Sequence, residues 1–122
     1  MDDTKLTSKI IAAAIEVHRA LGPGLLESIY EEALCHELEL RGVNYQRQIS
    51  VSVNYKGKQI RGQILDLLVE SEVIIELKSQ RSLPDVAVAQ TLSYLKATGL
   101  HRALLINFGE KRLVNGIKRL SL

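Results

Sequence analysis

The sequence predicts a single α/β domain in which two helices precede a sheet and a third helix interrupts it. Three observations lead to this prediction. Apolar residues recur at helical spacing up to residue 41, they alternate with polar residues over 43–55, and two later segments are almost continuously apolar. With 122 residues the chain can bury its own core, so we expect one domain over residues 1–122. The predicted order of elements is α-α-β-β-β-α-β-β.

Two helices are predicted in the amino-terminal third. Thr7 is placed to cap the first helix and Gly22 to end it. The buried stripe of this helix is expected to consist of Ile10, Ile11, Ala14, Ile15, His18 and Leu21. The second helix is expected over residues 25–41, where Gly42 ends it.

Three strands are predicted next. Residues 43–55 carry apolar side chains at odd positions, which is typical of a half-buried strand, and residues 56–58 turn the chain. A second strand runs over residues 60–69. The third strand, residues 73–78, begins with apolar side chains on both faces, which indicates a central strand that is covered on both sides.

The remainder is predicted to contain a helix followed by two strands. Ser82 and Asp85 can cap this helix, and Pro84 suits its first turn because a missing N–H costs nothing there. Its buried stripe is expected to consist of Val88, Ala89, Leu92 and Leu95. Residues 103–108 are predicted as a buried strand, and residues 113–122 as a strand at the edge of the sheet.

Composition and charge indicate a soluble globular protein. The hydrophobic fraction is 46% and the charged fraction 25%, and the net charge of +2 permits a nucleic-acid partner without requiring one. The single cysteine, Cys35, is expected to be a small buried residue in a reducing cytoplasm. The first residues are acidic where a secretory signal would be basic, and the apolar run over 10–15 is too short to span a bilayer. We therefore expect a cytoplasmic protein with no membrane segment.

Two carboxylates are predicted to meet on neighbouring strands. If residues 70–72 form a three-residue loop, Val69 pairs with Val73, and Asp66 then lies directly opposite Glu76. Side chains in opposed positions have Cβ atoms about 5 Å apart, and like charges there repel each other. Such a pair is unfavourable unless a proton or a cation joins the two groups.

This cluster has two interpretations. Lys78 leaves its strand on the same face as Glu76, so the three groups can form an exposed structural ion pair worth about 0–1 kcal/mol. Alternatively, Asp66 and Glu76 hold Mg²⁺ or Mn²⁺, which prefer carboxylate oxygens. Such an ion would activate a water and a phosphate, and Lys78 would position the water or stabilise the phosphate charge. The residues alone do not decide between them.

The spacing of these residues resembles that of a known nuclease superfamily. Asp66, then residues 76–78 (Glu-Leu-Lys), then Gln90 on the following helix resemble the PD-(D/E)xK nuclease superfamily. Within it, residues 24–30 (Gly-Leu-Leu-Glu-Ser-Ile-Tyr) resemble the motif that names the GxxExxY family. The similarity covers nearly the whole chain. It implies a restriction-endonuclease-like core (α-β-β-β-α-β, a mixed sheet flanked by helices) with an additional amino-terminal helix.

The resemblance also implies roles for individual residues. The implied metal ligands are Glu27, Asp66, Glu76 and the backbone carbonyl of Leu77. Lys78 would be the catalytic base or the water-positioning group, and Gln90 would project from the third helix into the site beside the catalytic Asp66 and Glu76. Leu65 stands where the superfamily name has proline.

The function that the resemblance implies is hydrolysis of the DNA backbone with Mg²⁺ or Mn²⁺ and little sequence specificity. The alternative is a module that binds nucleic acid or protein and keeps the fold without useful turnover. For the nuclease, a homodimer or a larger complex would supply specificity, since the chain has no room for a separate domain. The cations that could contact phosphates are Lys56, Lys58, Arg61, Lys111, Arg112, Lys118 and Arg119.

Several of these residues also have a structural explanation. An acid at Glu27 favours the dipole of the second helix by about 0.3–1 kcal/mol. We expect His18 to be a core histidine bonded to a carbonyl rather than a ligand. Tyr30 either orients Glu27 or packs in the core. On the residues alone, Gln90 and Tyr94 would be exposed to solvent.

Overall fold

A computed structural model describes residues 3–122, and its elements follow the predicted order. The elements are α1 (Asp3–Leu21), α2 (Glu27–Leu40), β1 (Tyr45–Tyr55), β2 (Lys58–Val69), β3 (Val73–Lys78), α3 (Asp85–Thr98), β4 (Arg102–Asn107), a 3₁₀ turn (Leu113–Gly116) and β5 (Ile117–Ser121). The predicted α/β fold, a mixed sheet flanked by helices, is confirmed. No helix within the described range has the length and apolar character needed to cross a membrane.

The five strands form one sheet in the order β1-β2-β3-β4-β5. β3 and β4 run parallel, and the other neighbouring pairs are antiparallel. β3 is therefore central, as its apolar sequence predicts, and residues 73–77 are all buried. The predicted edge strand at the end of the chain begins only at Ile117, because residues 113–116 form the 3₁₀ turn.

Apolar clusters cover both faces of the sheet. On one face α1 and α2 pack against Ile75 and Leu77 of β3. On the other face α3 packs against Ile74 of the same strand. Glu76 and Lys78 follow Ile74 by two and four residues on the same strand, so their side chains leave the sheet on the α3 face.

The first helix departs from the prediction at its start and in its buried stripe. α1 begins at Asp3, so Thr7 lies inside the helix and donates its hydroxyl to the Thr4 carbonyl (3.1 Å) instead of capping. Ile15 and Leu21 are 39% and 42% exposed. The residues that α2 and the sheet cover are Leu6, Thr7, Ile10, Ala13, Ala14, Val17 and His18. The predicted stripe was therefore wrong at Ile15 and Leu21, because the covered line runs through positions 13 and 17 instead.

The start of the third helix and its buried face also differ from the prediction. Pro84 is its N-cap, and neither Ser82 nor Asp85 caps it through a side chain. The capping prediction was wrong because Asp85 is already the first helical residue. The residues that α3 buries are Ala87, Thr91, Tyr94 and Leu95. Ala89 is exposed, which contradicts its predicted burial.

Candidate active site

Asp66 and Glu76 lie side by side where β2 separates from β3. Val69 pairs with Val73, which confirms the predicted loop and register, and the ladder continues for two more residues of each strand. Beyond the pair of Leu67 and Ile75, backbone N–H groups bond to side-chain carboxylates instead of to backbone carbonyls. The Asp66 N–H donates to Glu76 Oε1 (2.9 Å), and the Leu77 N–H donates to Asp66 Oδ2 (2.8 Å). Each carboxylate is thus held by the backbone of the opposite strand.

A sharp twist at Asp66 creates this opening. Leu67 packs in the cluster under α1 and α2, whereas Leu65, two residues earlier, packs in the cluster under α3. At the corresponding position of β1, Gln48 has a φ of 52°, a left-handed conformation that non-glycine residues seldom adopt. Side chains two residues apart in a flat strand share a face, so both strands must turn here. The turn carries Asp66 away from the ladder.

Burial makes the ionised carboxylates unfavourable. Glu76 is 3% exposed; burial and then the negative charge of Asp66 raise the pKa of Glu76 to about 8. Burial also raises the pKa of Asp66, although the hydrogen bond from the Leu77 N–H and the positive charge of Lys78 act in the opposite direction. Without a cation, the pair therefore retains a proton at neutral pH.

Lys78 stands beside this pair without bonding to it. Its side chain is half-buried, and its charge lowers the pKa of both Asp66 and Glu76. No ion pair within residues 3–122 includes Lys78. This contradicts the interpretation of the three groups as an exposed structural ion pair. The ammonium is left available for another partner.

Glu27 and Leu77 are the other two predicted metal ligands. Glu27 is the first residue of α2, is exposed, and raises the pKa of Asp66 and Glu76 through its charge. It also lines an open groove of about 920 Å³ between residues 23–28 and 79–81. Leu77 is buried in β3, where it pairs with Ile106. Glu27 is thus within electrostatic reach of the pair, although no hydrogen bond joins them in the described structure.

Gln90 and Tyr94 form the α3 side of the site. Tyr94 is 1% exposed, contrary to the prediction, and its hydroxyl donates to the Ile64 carbonyl (3.2 Å). Burial and the charges of Glu76 and Asp66 raise the pKa of Tyr94 to about 12, while a hydrogen bond with the Gln90 side chain lowers it. The sequence signals for Tyr94 were its spacing of one helical turn from Gln90 and the resemblance of residues 94–99 to the GxxExxY family.

Glu31 is an acid near the site that the sequence analysis missed. It is 8% exposed and accepts hydrogen bonds from Arg47 (2.7 Å) and Gln48 (2.8 Å). Its charge raises the pKa of Asp66. These bonds tie α2 to β1 at the residue where the strand turns. Glu31 lies on the buried stripe of α2 with Leu34, where an unpaired acid is rarely found. This position in the helical pattern was the sequence signal that could have identified Glu31.

Tyr30 holds the loop that precedes Glu27. Its hydroxyl donates to the Gly22 carbonyl and accepts from the Leu25 N–H (3.1 Å). Its ring stacks on Phe108, with ring centroids 4.5 Å apart. Of the two predicted roles, packing in the core is the one that the structure supports. Tyr30 thus fixes the backbone just before α2 and thereby the position of Glu27.

Two further reactive side chains have structural roles. His18 is buried, and its Nε2 lies 2.8 Å from the Glu110 carbonyl oxygen, which confirms the prediction of a core histidine. Cys35 is buried as predicted, and burial raises the pKa of its thiol to about 11. Neither side chain is arranged for catalysis.

We expect Tyr30→Phe to lower the free energy of unfolding by about 1–3 kcal/mol, because the loop loses both hydrogen bonds while the ring still packs. Urea denaturation followed by circular dichroism measures this change. Tyr55→Phe is the matched control, since the Tyr55 side chain is 61% exposed, and it should change stability by less than about 0.5 kcal/mol. Equal effects of the two substitutions would contradict the role given to the Tyr30 hydroxyl.

Comparisons with known proteins place this chain in a family. A family model described as the PD-(D/E)XK nuclease superfamily matches residues 4–120. The solved structure described as "Crystal structure of SSO0001" superimposes with a TM-score of 0.60 at 22% identity, covering 77% of this chain and 48% of that one. This chain thus spans about half the length of that protein, and the likeness shows a common fold. A search among curated proteins found no match. Because the family model covers nearly the whole chain, the chain belongs to the PD-(D/E)XK nuclease superfamily.

Proposed function

We propose that this protein is a divalent-metal-dependent nuclease of the GxxExxY type that hydrolyses the DNA backbone with little sequence specificity. The observation that carries the proposal is the buried pair of Asp66 and Glu76, each held by a backbone N–H of the opposite strand. The spacing of Gly24, Glu27 and Tyr30 supports the GxxExxY assignment. Nucleases of this superfamily typically depend on a divalent metal.

The carboxylate pair fits a small divalent cation. Backbone N–H groups occupy one oxygen of each carboxylate, while Asp66 Oδ1 and Glu76 Oε2 accept no hydrogen bond from any described residue. Because burial raises the pKa of both groups, a cation would offset the cost of ionising them. Two carboxylates are enough for Mg²⁺ or Mn²⁺, which bind one or two carboxylates and keep water and substrate oxygens.

The proposed roles follow from these positions. Asp66 and Glu76 are the principal ligands, with Glu27 and the Leu77 carbonyl as additional ones. When bound, a divalent cation supplies Lewis-acid chemistry at the phosphoryl oxygen and makes a nearby water more acidic. Lys78, which has no ion-pair partner in the described chain, holds the attacking water or a phosphate oxygen.

Gln90 completes the proposed catalytic set from α3. Its side chain hydrogen-bonds at the Tyr94 hydroxyl, close enough to the carboxylates for their charges to act on that hydroxyl. From there it can orient a water or a phosphate oxygen. The proposed setting is the cytoplasm, where Cys35 stays reduced, with residues 1–122 acting as one domain and a homodimer or larger complex adding specificity.

A second candidate function is binding of nucleic acid or protein without turnover. The observation that favours it is the separation of Glu27 from the pair, since no hydrogen bond or shared cluster joins the three acids among the described residues. A site with two acids could retain the fold and a weak cation affinity while failing to align a water.

Incubation with linear, nicked, branched and single-stranded DNA in Mg²⁺ or Mn²⁺ distinguishes the two candidates. We expect cleavage by the parent protein and loss of cleavage in Asp66→Asn, because the amide removes a ligand charge. Asp85→Asn is the control, since Asp85 is an exposed acid at the start of α3, and it should cleave like the parent. DNA binding with no cleavage above the Asp66→Asn background would favour the binding module.

A further inference from the structure

The hairpin of β1 and β2 projects from the body of the protein. Every residue over 53–62, which we call the hairpin arm, is exposed to solvent. The arm's strands pair out to Tyr55 and Lys58, where Lys56 and Gly57 form the loop. A two-stranded hairpin with no cover on either face is only marginally stable in water. The arm nevertheless stays paired without a core of its own, and both of its faces are open to a partner.

The arm carries positive charge without any acid. Residues 43–65 contain no Asp or Glu, although the chain has 14 of them. Of the four cations in this stretch, Arg47 pairs with acids of α2. Lys56, Lys58 and Arg61 make no ion pair with any residue of the described range. The three arm cations are therefore available to a polyanion.

A β-bulge connects the arm to the candidate active site. Arg61 and Gly62 of β2 stand opposite the single residue Ser52 of β1. Gly62 has a φ of 133°, which side chains rarely permit. Bulges bend a strand, increase its twist and redirect side chains. Asp66 follows on the same strand, so the base of the arm lies roughly 13 Å from it at about 3.3 Å per residue.

We propose that the hairpin arm enters the major groove of duplex DNA and binds flanking phosphates through Lys56, Lys58 and Arg61. This inference rests on the proposed function and names its substrate class. The major groove is about 12 Å wide and admits a two-stranded ribbon, whose strands lie about 4.8 Å apart. The cross-strand pair Asn54 and Gln59 makes the end of the ribbon polar.

Charge and groove shape favour duplex DNA over two other occupants. The arm of a second copy carries the same cations, so pairing of two arms would bring like charges together. Double-stranded RNA has a deep, narrow major groove that side chains cannot enter. Duplex DNA supplies both the anionic phosphate backbones and a major groove of sufficient width. A duplex held in this way would run along β2 towards Asp66.

The affinity test compares two variants of equal charge. The arm variant carries Lys56→Gln, Lys58→Gln and Arg61→Gln; the control carries Lys5→Gln, Lys9→Gln and Lys96→Gln, which are exposed cations on the helices outside the arm. Fluorescence anisotropy with a labelled duplex, in chelator to prevent cleavage, is measured over a salt series. We expect the arm variant to bind at least about tenfold more weakly near 0.1 M salt, with a slope of log affinity against log salt that is shallower by about 2–3. An equal loss in the control would overturn the proposal.

The groove is tested with modified duplexes. Bulky sugar groups on cytosine fill the major groove, so they should weaken binding by the parent and leave the arm variant unchanged. Double-stranded RNA of the same sequence should bind the parent as weakly as duplex DNA binds the arm variant. Equal affinity of the parent for blocked and unblocked DNA, or for RNA and DNA, would overturn the proposal.

A small substrate separates this proposal from the proposed function. The arm variant should hydrolyse bis(p-nitrophenyl) phosphate in Mn²⁺ at the parent's rate and melt at the parent's temperature. If the parent binds duplex DNA through the arm but hydrolyses nothing, the nuclease proposal fails and the arm stands. If the parent cleaves DNA and the arm variant binds it equally well, the arm proposal fails alone. Loss of the small-substrate activity in an arm variant that melts like the parent would show that these cations act in hydrolysis itself, which would overturn a role limited to holding the duplex.

Discussion

Glu76→Gln is expected to raise the melting temperature of the metal-free protein by several degrees at pH about 9 and to change it little at pH about 4. The pKa of Glu76 rises from its ordinary 4.5 to about 8, chiefly through burial. Between these pH values the folded protein keeps a proton that the unfolded chain releases, so the stability of the parent falls as pH rises through this window. A neutral amide avoids that loss, which is on the order of a few kcal/mol.

With divalent cations present, the parent should become more stable than Glu76→Gln. Binding to the folded state alone stabilises it by mass action, so Mn²⁺ at millimolar concentration should raise the melting temperature of the parent at pH about 8. Glu76→Gln and Asp66→Asn should show little or no rise, whereas the control Asp85→Asn should behave like the parent. A melting temperature of the parent that responds neither to Mn²⁺ nor to pH across this window would contradict the metal site.

The carboxylate pair could be predicted from the sequence because local rules fix it. A three-residue loop over residues 70–72 sets the register of β2 against β3, and the alternation of side chains then places Asp66 by Glu76. The central position of β3 followed in the same way from its continuous apolar run. These features depend only on neighbours in the chain.

The twist at Asp66 could not be predicted, because it depends on contacts between distant elements. Alternation predicts that Leu65 and Leu67 share a face, but they pack in different clusters. The turn coincides with the left-handed backbone of Gln48, whose side chain donates to Glu31 of α2. The geometry of Asp66 on β2 is thus accompanied by a contact between α2 and β1, which are far from it in the sequence.

The third helix shows the limit of periodicity. The spacing of its apolar residues predicts a helix, and Gly99 ends it in a left-handed conformation as a terminator should. Periodicity does not show which side turns to the sheet when polar residues are also covered. Thr91 is fully buried because its hydroxyl donates to the Ala87 carbonyl (2.8 Å), and Tyr94 because its hydroxyl reaches Ile64. Because these hydroxyls are bonded internally, their side chains can be buried, and the buried face of the helix therefore differs from the predicted apolar stripe.

Lys78→Ala is expected to abolish most DNA cleavage while leaving DNA affinity nearly unchanged. Lys78 is two residues from Glu76 on the same face, and it has no ion-pair partner among residues 3–122. An ammonium in this position is proposed to act where charge develops during phosphodiester hydrolysis. Removal of one such group commonly lowers kcat by about 10²–10³.

The assay must separate this effect from a change in the carboxylates. Because the charge of Lys78 lowers the pKa of Asp66 and Glu76, Lys78→Ala raises the pKa of both groups further and weakens cation binding near neutral pH. Rates should therefore be measured at saturating Mn²⁺ and at a pH above the raised pKa of Glu76, because alkaline pH and the bound cation both favour the ionised carboxylates. The melting temperature should still rise with Mn²⁺, which shows that the cation is bound.

The division between kcat and KM decides the role of Lys78. A group that acts only in the transition state lowers kcat and kcat/KM equally and leaves KM unchanged. Lys78→Arg should recover part of the rate because it retains the charge, and the control Lys96→Ala, an exposed residue near the end of α3, should cleave like the parent. A rise in KM with kcat preserved would show that Lys78 only binds DNA. Cleavage by Lys78→Ala at the parent's rate would remove Lys78 from the proposed mechanism altogether.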